Sequence, residues 1–127
     1  MKNNGYNQKQ YTQPVKRYCK TMMLKDDPQL IEKYIEAHDR LHAWPEIRRG
    51  IREVGILEME IYIYSNRLFM IIVTSQNLDL EQAMKRLASL PRQAEWETFT
   101  AMFQDCDLEA SSNEKWQLMD RIFYLYD

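Results

Sequence analysis

A chain of 127 residues, 28% of them charged and with a formal net charge of −2, is long enough for one domain with its own core. It offers no electrostatic case for binding nucleic acid or an acidic membrane surface. No stretch approaches the roughly 20 apolar residues of a membrane span, and the polar N-terminus lacks the apolar centre of a secretion signal. The two cysteines, Cys19 and Cys106, have neither metal-site spacing nor a disulfide framework around them, so the chain reads as cytoplasmic, with two ordinary thiols.

Residues 1–15 read as a flexible polar tail, with Pro14 near its end, and residues 16–127 as a single domain. The run from Lys16 to Leu24 predicts a first strand. Lys25-Asp26-Asp27-Pro28 is turn chemistry, with Asp27 placed to cap a helix and Pro28 to occupy its first position. Leu30, Ile31, Tyr34 and Ile35 recur at helical spacing, predicting a helix over about 28–41. That helix cannot pass Trp44, because a residue before proline is pushed out of the α region. Pro45 then opens a second helical segment, carried by Ile47, Ile51 and Val54 and closed by Gly55.

From Ile56 the period changes to two. Leu57, Met59, Ile61 and Ile63 alternate with Glu58, Glu60, Tyr62 and Tyr64, predicting a strand with unlike faces. Ser65-Asn66 predicts a tight turn, with Asn66 supplying the positive φ. Leu68 to Val73 is unbroken apolar sequence, the mark of a strand buried on both faces. Asp79 and Gln82 make a weak helix start for a segment to about Ala88, Pro91 restarts it, and Trp96, Phe99 and Phe103 share one face. A polar loop over 105–114 precedes Lys115–Tyr126, which reads as a final strand with a helix as the alternative.

The order β-α-β-β-α-β predicts an α+β, ferredoxin-like sandwich with the first and third strands central. Its helices cover one face of the sheet. The other face keeps apolar and aromatic positions, so a second copy covers it, giving a homodimeric α+β barrel, or it forms a binding cup, and both can hold.

The chemistry concentrates at Tyr34–Glu46. Tyr34 and His38 stand four residues apart on one helix face, and Trp44 sits at the break that follows. Stacking surface beside a proton carrier suits a small sugar-like ligand, although a lone histidine on an apolar face is more often a core residue. The three glycines are isolated, so no phosphate loop is present, and no nucleophile elbow appears. His38 and His42 have the spacing of a helical chelate but no evident third ligand, so no metal and no cofactor is expected. Proton transfer by a buried, neutral histidine remains.

Tyr34-x-x-x-His38, Trp44-Pro45-Glu46, Ile61-Tyr62, Asn66-Arg67-Leu68-Phe69-Met70 and Ile122-Phe123-Tyr124-Leu125 together resemble the L-rhamnose mutarotase family, over about Lys16–Leu125. The resemblance implies a ferredoxin-like fold, a homodimer formed through the sheets, and cofactor-free interconversion of the α and β anomers of an L-6-deoxy aldose of the L-rhamnose or L-fucose type. It implies His38 as the catalytic proton carrier with Tyr34 beside it, and Trp44 and Trp96 as aromatic positions near the sugar. Two departures stand out. Five residues, rather than the family's three, separate His38 from Trp44, which brings His42 forward as a competing proton carrier. Met59 falls where rhamnose enzymes place a pocket tyrosine, which leaves the choice of sugar open. A non-catalytic α+β barrel binding a small ligand or a partner is the alternative reading, and a cofactor-free monooxygenase a third by analogy of fold.

Overall fold

A computed structural model describes residues 4–107 and 110–126. The element order is β1 (Val15–Met23), α1 (Pro28–Ala37), α2 (Pro45–Glu53), β2 (Ile56–Tyr64), β3 (Arg67–Ser75), α3 (Leu80–Ala88), α4 (Gln93–Ala101), α5 (Ser112–Lys115) and β4 (Gln117–Leu118). The strands form one antiparallel sheet in the order β2-β3-β1-β4, the ferredoxin-like arrangement expected from the sequence. Residues 1–3 of the expected tail and 108–109 of the expected polar loop lie outside the described residues.

Local sequence explains most boundaries. The Asp27 carboxylate accepts from the backbone N–H groups of Gln29 (2.9 Å) and Leu30 (3.4 Å), and Pro28 opens α1. Pro45 opens α2 with Glu46 in its first turn and Arg52 in its last, both favourable to the helix dipole. Gly55 follows at φ +98°, a backbone region that glycine enters without strain.

The core lies between the sheet and the helices. Met22, Leu68, Met70 and Ile72 from one sheet face pack with Tyr34 of α1 and Met84 and Leu87 of α3. β3 is central, as its apolar run requires, with Leu68, Met70, Ile72 and Val73 all buried.

Three local features differ from the sequence reading. A bulge between Ile56 and Glu58 breaks the alternation of β2, so that Ile56 and Met59 both face the helices, opposite Thr74 and Ile72. In the β2–β3 turn the positive φ (57°) belongs to Ser65 and not to Asn66, whose side chain donates to the Leu24 carbonyl at 3.1 Å. The expected last strand shrinks to two residues. Its start is taken by α5, whose cap is a reciprocal Ser111–Glu114 pair, and its pairing with β1 covers only Lys20↔Leu118 and Thr21↔Gln117. Beyond Met119, whose N–H donates to the Cys19 carbonyl at 2.8 Å, the chain leaves the sheet. Among the described residues, no helix is long and apolar enough to cross a membrane.

Candidate active site

The helix expected to reach residue 41 stops at Ala37, and His38 is its C-cap. A five-residue link, residues 39–43, then leads to Trp44. Asp39 folds that link, its carboxylate accepting from the N–H groups of Leu41 and His42 at 2.9 Å each. His42 is thereby turned outward: it is exposed, with Nδ1 2.8 Å from the Asp39 carboxylate and Nε2 3.7 Å from Glu36. The bond to Asp39 raises its pKa.

His38 points inward. Its Nδ1 lies 2.8 Å from the carbonyl oxygen of Tyr34, one turn back. A carbonyl only accepts, so Nδ1 carries the ring proton and Nε2 is left with a free lone pair. Burial lowers the His38 pKa; the Tyr34 carbonyl opposes this in part, and the Arg48 cation adds to it. The ring is therefore neutral near pH 7.

Tyr34 holds His38 through its backbone as well as its ring, the ring centroids being 4.4 Å apart. Its phenol is buried, which pushes its pKa upward, and Gln104 Nε2 donates to it at 3.5 Å. The phenol stays protonated.

An aromatic wall completes the arrangement. Trp96 of α4 meets His38 edge-on at 5.2 Å, Trp44 meets Trp96 at 5.2 Å, and Trp44 stacks on Phe99 at 5.6 Å. The Arg92 guanidinium lies 4.1 Å from the centre of the Trp44 ring and 3.5 Å from Glu46, which fixes the start of α2 against α4. Tyr34, His38, Trp44, Met59 and Trp96 all line one cavity of about 630 Å³ bounded by β2, β3, α1, α2 and α4. His42 does not line it. Among the described residues, no cluster of three or more His, Cys, Asp or Glu side chains could hold a metal ion.

Sequence reasoning missed a buried polar network in the same wall. Lys115 Nζ bonds the Glu97 carbonyl (2.6 Å), the Glu97 carboxylate (2.8 Å) and the Thr100 hydroxyl (3.3 Å). Gln93 Nε2 donates to the other Glu97 oxygen at 2.5 Å. Glu97, Thr100, Gln93 and Gln104 all line the cavity. The four-residue spacing of Gln93 and Glu97 was the only local hint, and nothing near Lys115 announces its partner.

The profile of the L-rhamnose mutarotase family matches residues 17–125. An L-fucose mutarotase of Xanthomonas campestris pv. campestris is 32% identical over 111 residues, covering 87% of this chain and 89% of its own length. A UPF0734 protein of Dictyostelium discoideum is 27% identical over 114 residues, covering 87% of this chain and 90% of its own. The crystal structure of an L-rhamnose mutarotase from Formosa agariphila superposes with a TM-score of 0.64 at 23% identity, over 87% of this chain and 99% of the other, and supports the fold.

Proposed function

The chain belongs to the L-rhamnose mutarotase family and is an anomer-interconverting carbohydrate isomerase, and from that premise we propose that His38 carries the proton for an L-6-deoxy aldose, L-fucose in preference to L-rhamnose. The observation that carries the proposal is the buried His38 ring, anchored through Nδ1 to the Tyr34 carbonyl, with the basic Nε2 free in an aromatic cavity.

Nε2 takes the proton from the anomeric hydroxyl, and the imidazolium so formed gives it to the ring oxygen as the bond from C1 to that oxygen breaks. The product is the open-chain aldehyde and a neutral histidine. Rotation about C1–C2 presents the other carbonyl face, and the reverse transfers close the ring as the opposite anomer. Protons balance, and no cofactor enters. Trp44 and Trp96 supply the faces on which the apolar side of the sugar stacks. Tyr34, protonated and buried, orients the histidine rather than acting as a base. The site is tested by His38→Ala, for which exchange between the anomers is expected to fall.

The sugar preference rests on Met59. It lines the cavity, and its thioether offers no strong hydrogen bond where the family resemblance implies a tyrosine hydroxyl. A hydrogen bond of that kind is worth about 1 kcal/mol, a several-fold effect. We expect kcat/KM for L-fucose to exceed that for L-rhamnose by about fivefold, measured by anomer-exchange NMR on each sugar. Equal or faster exchange of rhamnose would remove the argument from Met59.

We also propose that the working form is a homodimer joined through the face of the sheet that carries no helices. Ile122, Phe123 and Leu125 follow β4 and are 97%, 75% and 71% exposed. Three consecutive-region hydrophobes this open to water are a liability in a monomer, and a second copy on the adjoining face would bury them. Sedimentation at micromolar concentration should give about twice 15.4 kDa, and Ile122→Asp with Phe123→Asp should shift the species toward monomer. A wild-type monomer would overturn the proposal.

A further inference from the structure

Residues 4–14 lie outside the stretch matched by the family, yet part of this segment reaches the cavity. It forms neither helix nor strand. Side chains pin it along β2 instead. The Tyr6 ring meets Tyr62 edge-on at 5.7 Å, and the Tyr11 hydroxyl donates to the Glu58 carboxylate. At its C-terminal end the Pro14 carbonyl accepts from the N–H of Gln76, at 3.2 Å. Between the two tyrosines, Asn7 and Lys9 line the cavity that holds His38, Trp44 and Met59.

The chain between Tyr6 and Tyr11 is too short to wander far when both ends are held, because five residues span at most about 18 Å. Both tyrosine contacts are made to residues of β2, the strand that also presents Met59 and Ile61 to the cavity. The polar inventory gives the segment a purpose. Of the two carboxylates that line the cavity, Glu58 is bonded to Tyr11 and Glu97 to Lys115. Arg48, Arg52, Gln104 and Ser112 also line the cavity, and much of the remaining wall is apolar or aromatic. An aldose presents several hydroxyl groups, and Asn7 offers a donor and an acceptor on one side chain while Lys9 offers three donors.

We propose that residues 6–11 are a strap that forms part of the sugar site, with Asn7 and Lys9 as substrate-binding residues that hydrogen-bond sugar hydroxyls. The proposal rests on the mutarotase reading of the cavity, and it adds residues that the family match does not reach. The strap contributes affinity for the sugar, while His38 performs the proton transfer. Because these contacts hold the sugar before and during ring opening alike, their loss falls on KM rather than on kcat.

The test uses the full-length chain with L-fucose and L-rhamnose as probes. Asn7→Ala combined with Lys9→Ala should raise KM for the preferred sugar about tenfold or more, the sum of two lost polar contacts, with a much smaller change in kcat. Tyr6→Ala combined with Tyr11→Phe leaves Asn7 and Lys9 intact but releases the strap, and should raise KM in the same direction. Both pairs alter side chains outside the core, so unchanged circular dichroism is expected and confirms folding. If the wild type turns over either sugar and both double variants keep KM within twofold, this inference is overturned while the mutarotase reading stands. If the wild type turns over neither sugar, the substrate reading fails and the strap's role fails with it.

Discussion

His38→Ala is expected to slow anomer exchange by about 10²-fold or more, the range supplied by a positioned general acid–base group. The substitution removes the only cavity-lining imidazole and leaves the cap geometry available to alanine. His42→Ala should change the rate by less than about twofold, because that side chain is exposed and held by Asp39 on the outer side of the link. The pH profile adds a second readout. The His38 pKa is lowered from 6.5 by burial, so its neutral, basic form persists at and somewhat below that value. Activity should therefore hold through neutral pH and fall on acidification through the depressed pKa, as protonation of Nε2 removes the base. The residual exchange catalysed by His38→Ala should lack that acid limb. A loss confined to His42→Ala would mean that the longer link has moved the catalytic position. Tyr34→Phe is informative beside it: the Tyr34 carbonyl that holds Nδ1 survives this change, so the effect should be far smaller than that of His38→Ala.

Glu97→Ala is expected to destabilise the protein by about 3–5 kcal/mol, because it strands the Lys115 ammonium without its counter-charge. The Lys115 side chain is 0% exposed and that of Glu97 only 13% exposed, so water cannot replace the lost carboxylate without local opening. The backbone carbonyl of residue 97 and the Thr100 hydroxyl remain as partners, which argues for the lower part of that range. For a domain of this size the loss corresponds to roughly 10–20 °C in Tm. Lys115→Met in the Glu97→Ala background should recover part of it, since removing both members of a buried pair removes the uncompensated charge. A fall in Tm of only a few degrees for Glu97→Ala would show that the pair is hydrated in solution. Because Glu97 lines the cavity that holds His38 and Lys115 joins α5 to α4, the network ties the C-terminal region to the cavity wall.

The fold was legible wherever the signal was local. Trp44-Pro45-Glu46 and Gly55 bracket α2 through proline and glycine stereochemistry alone, and the apolar run Leu68–Val73 placed β3 at the centre of the sheet. The cavity was legible because Tyr34, His38 and Trp44 are close in sequence and their spacing settles their faces. Trp96 and Met59 came from the family resemblance, since nothing in a single strand or helix says which distant residues it will meet.

What escaped notice depends on non-local partners. Lys115 looks like a solvated residue at the end of a polar run, and only the fold brings it to Glu97, 18 residues earlier. Ile122–Tyr126 has strand composition, yet pairing with β1 ends at Met119 although β1 itself continues to Val15, and composition does not show where a chain turns away from its neighbour. The bulge at the start of β2 was hidden because an extra residue leaves the local composition unchanged while reversing the side-chain parity. Which of His38 and His42 lines the cavity turned on the fold of the link, where Asp39 bonds His42 on the outside.

The most direct test of the account is selective-inversion NMR on the anomeric protons of L-fucose, with wild-type protein dialysed against a chelator and His38→Ala measured beside it. Catalysis by His38 requires an exchange rate that rises linearly with wild-type concentration above the buffer rate, and a slope lower by about 10²-fold or more for His38→Ala. A wild-type rate equal to that of buffer alone, or equal slopes for the two proteins, would contradict it.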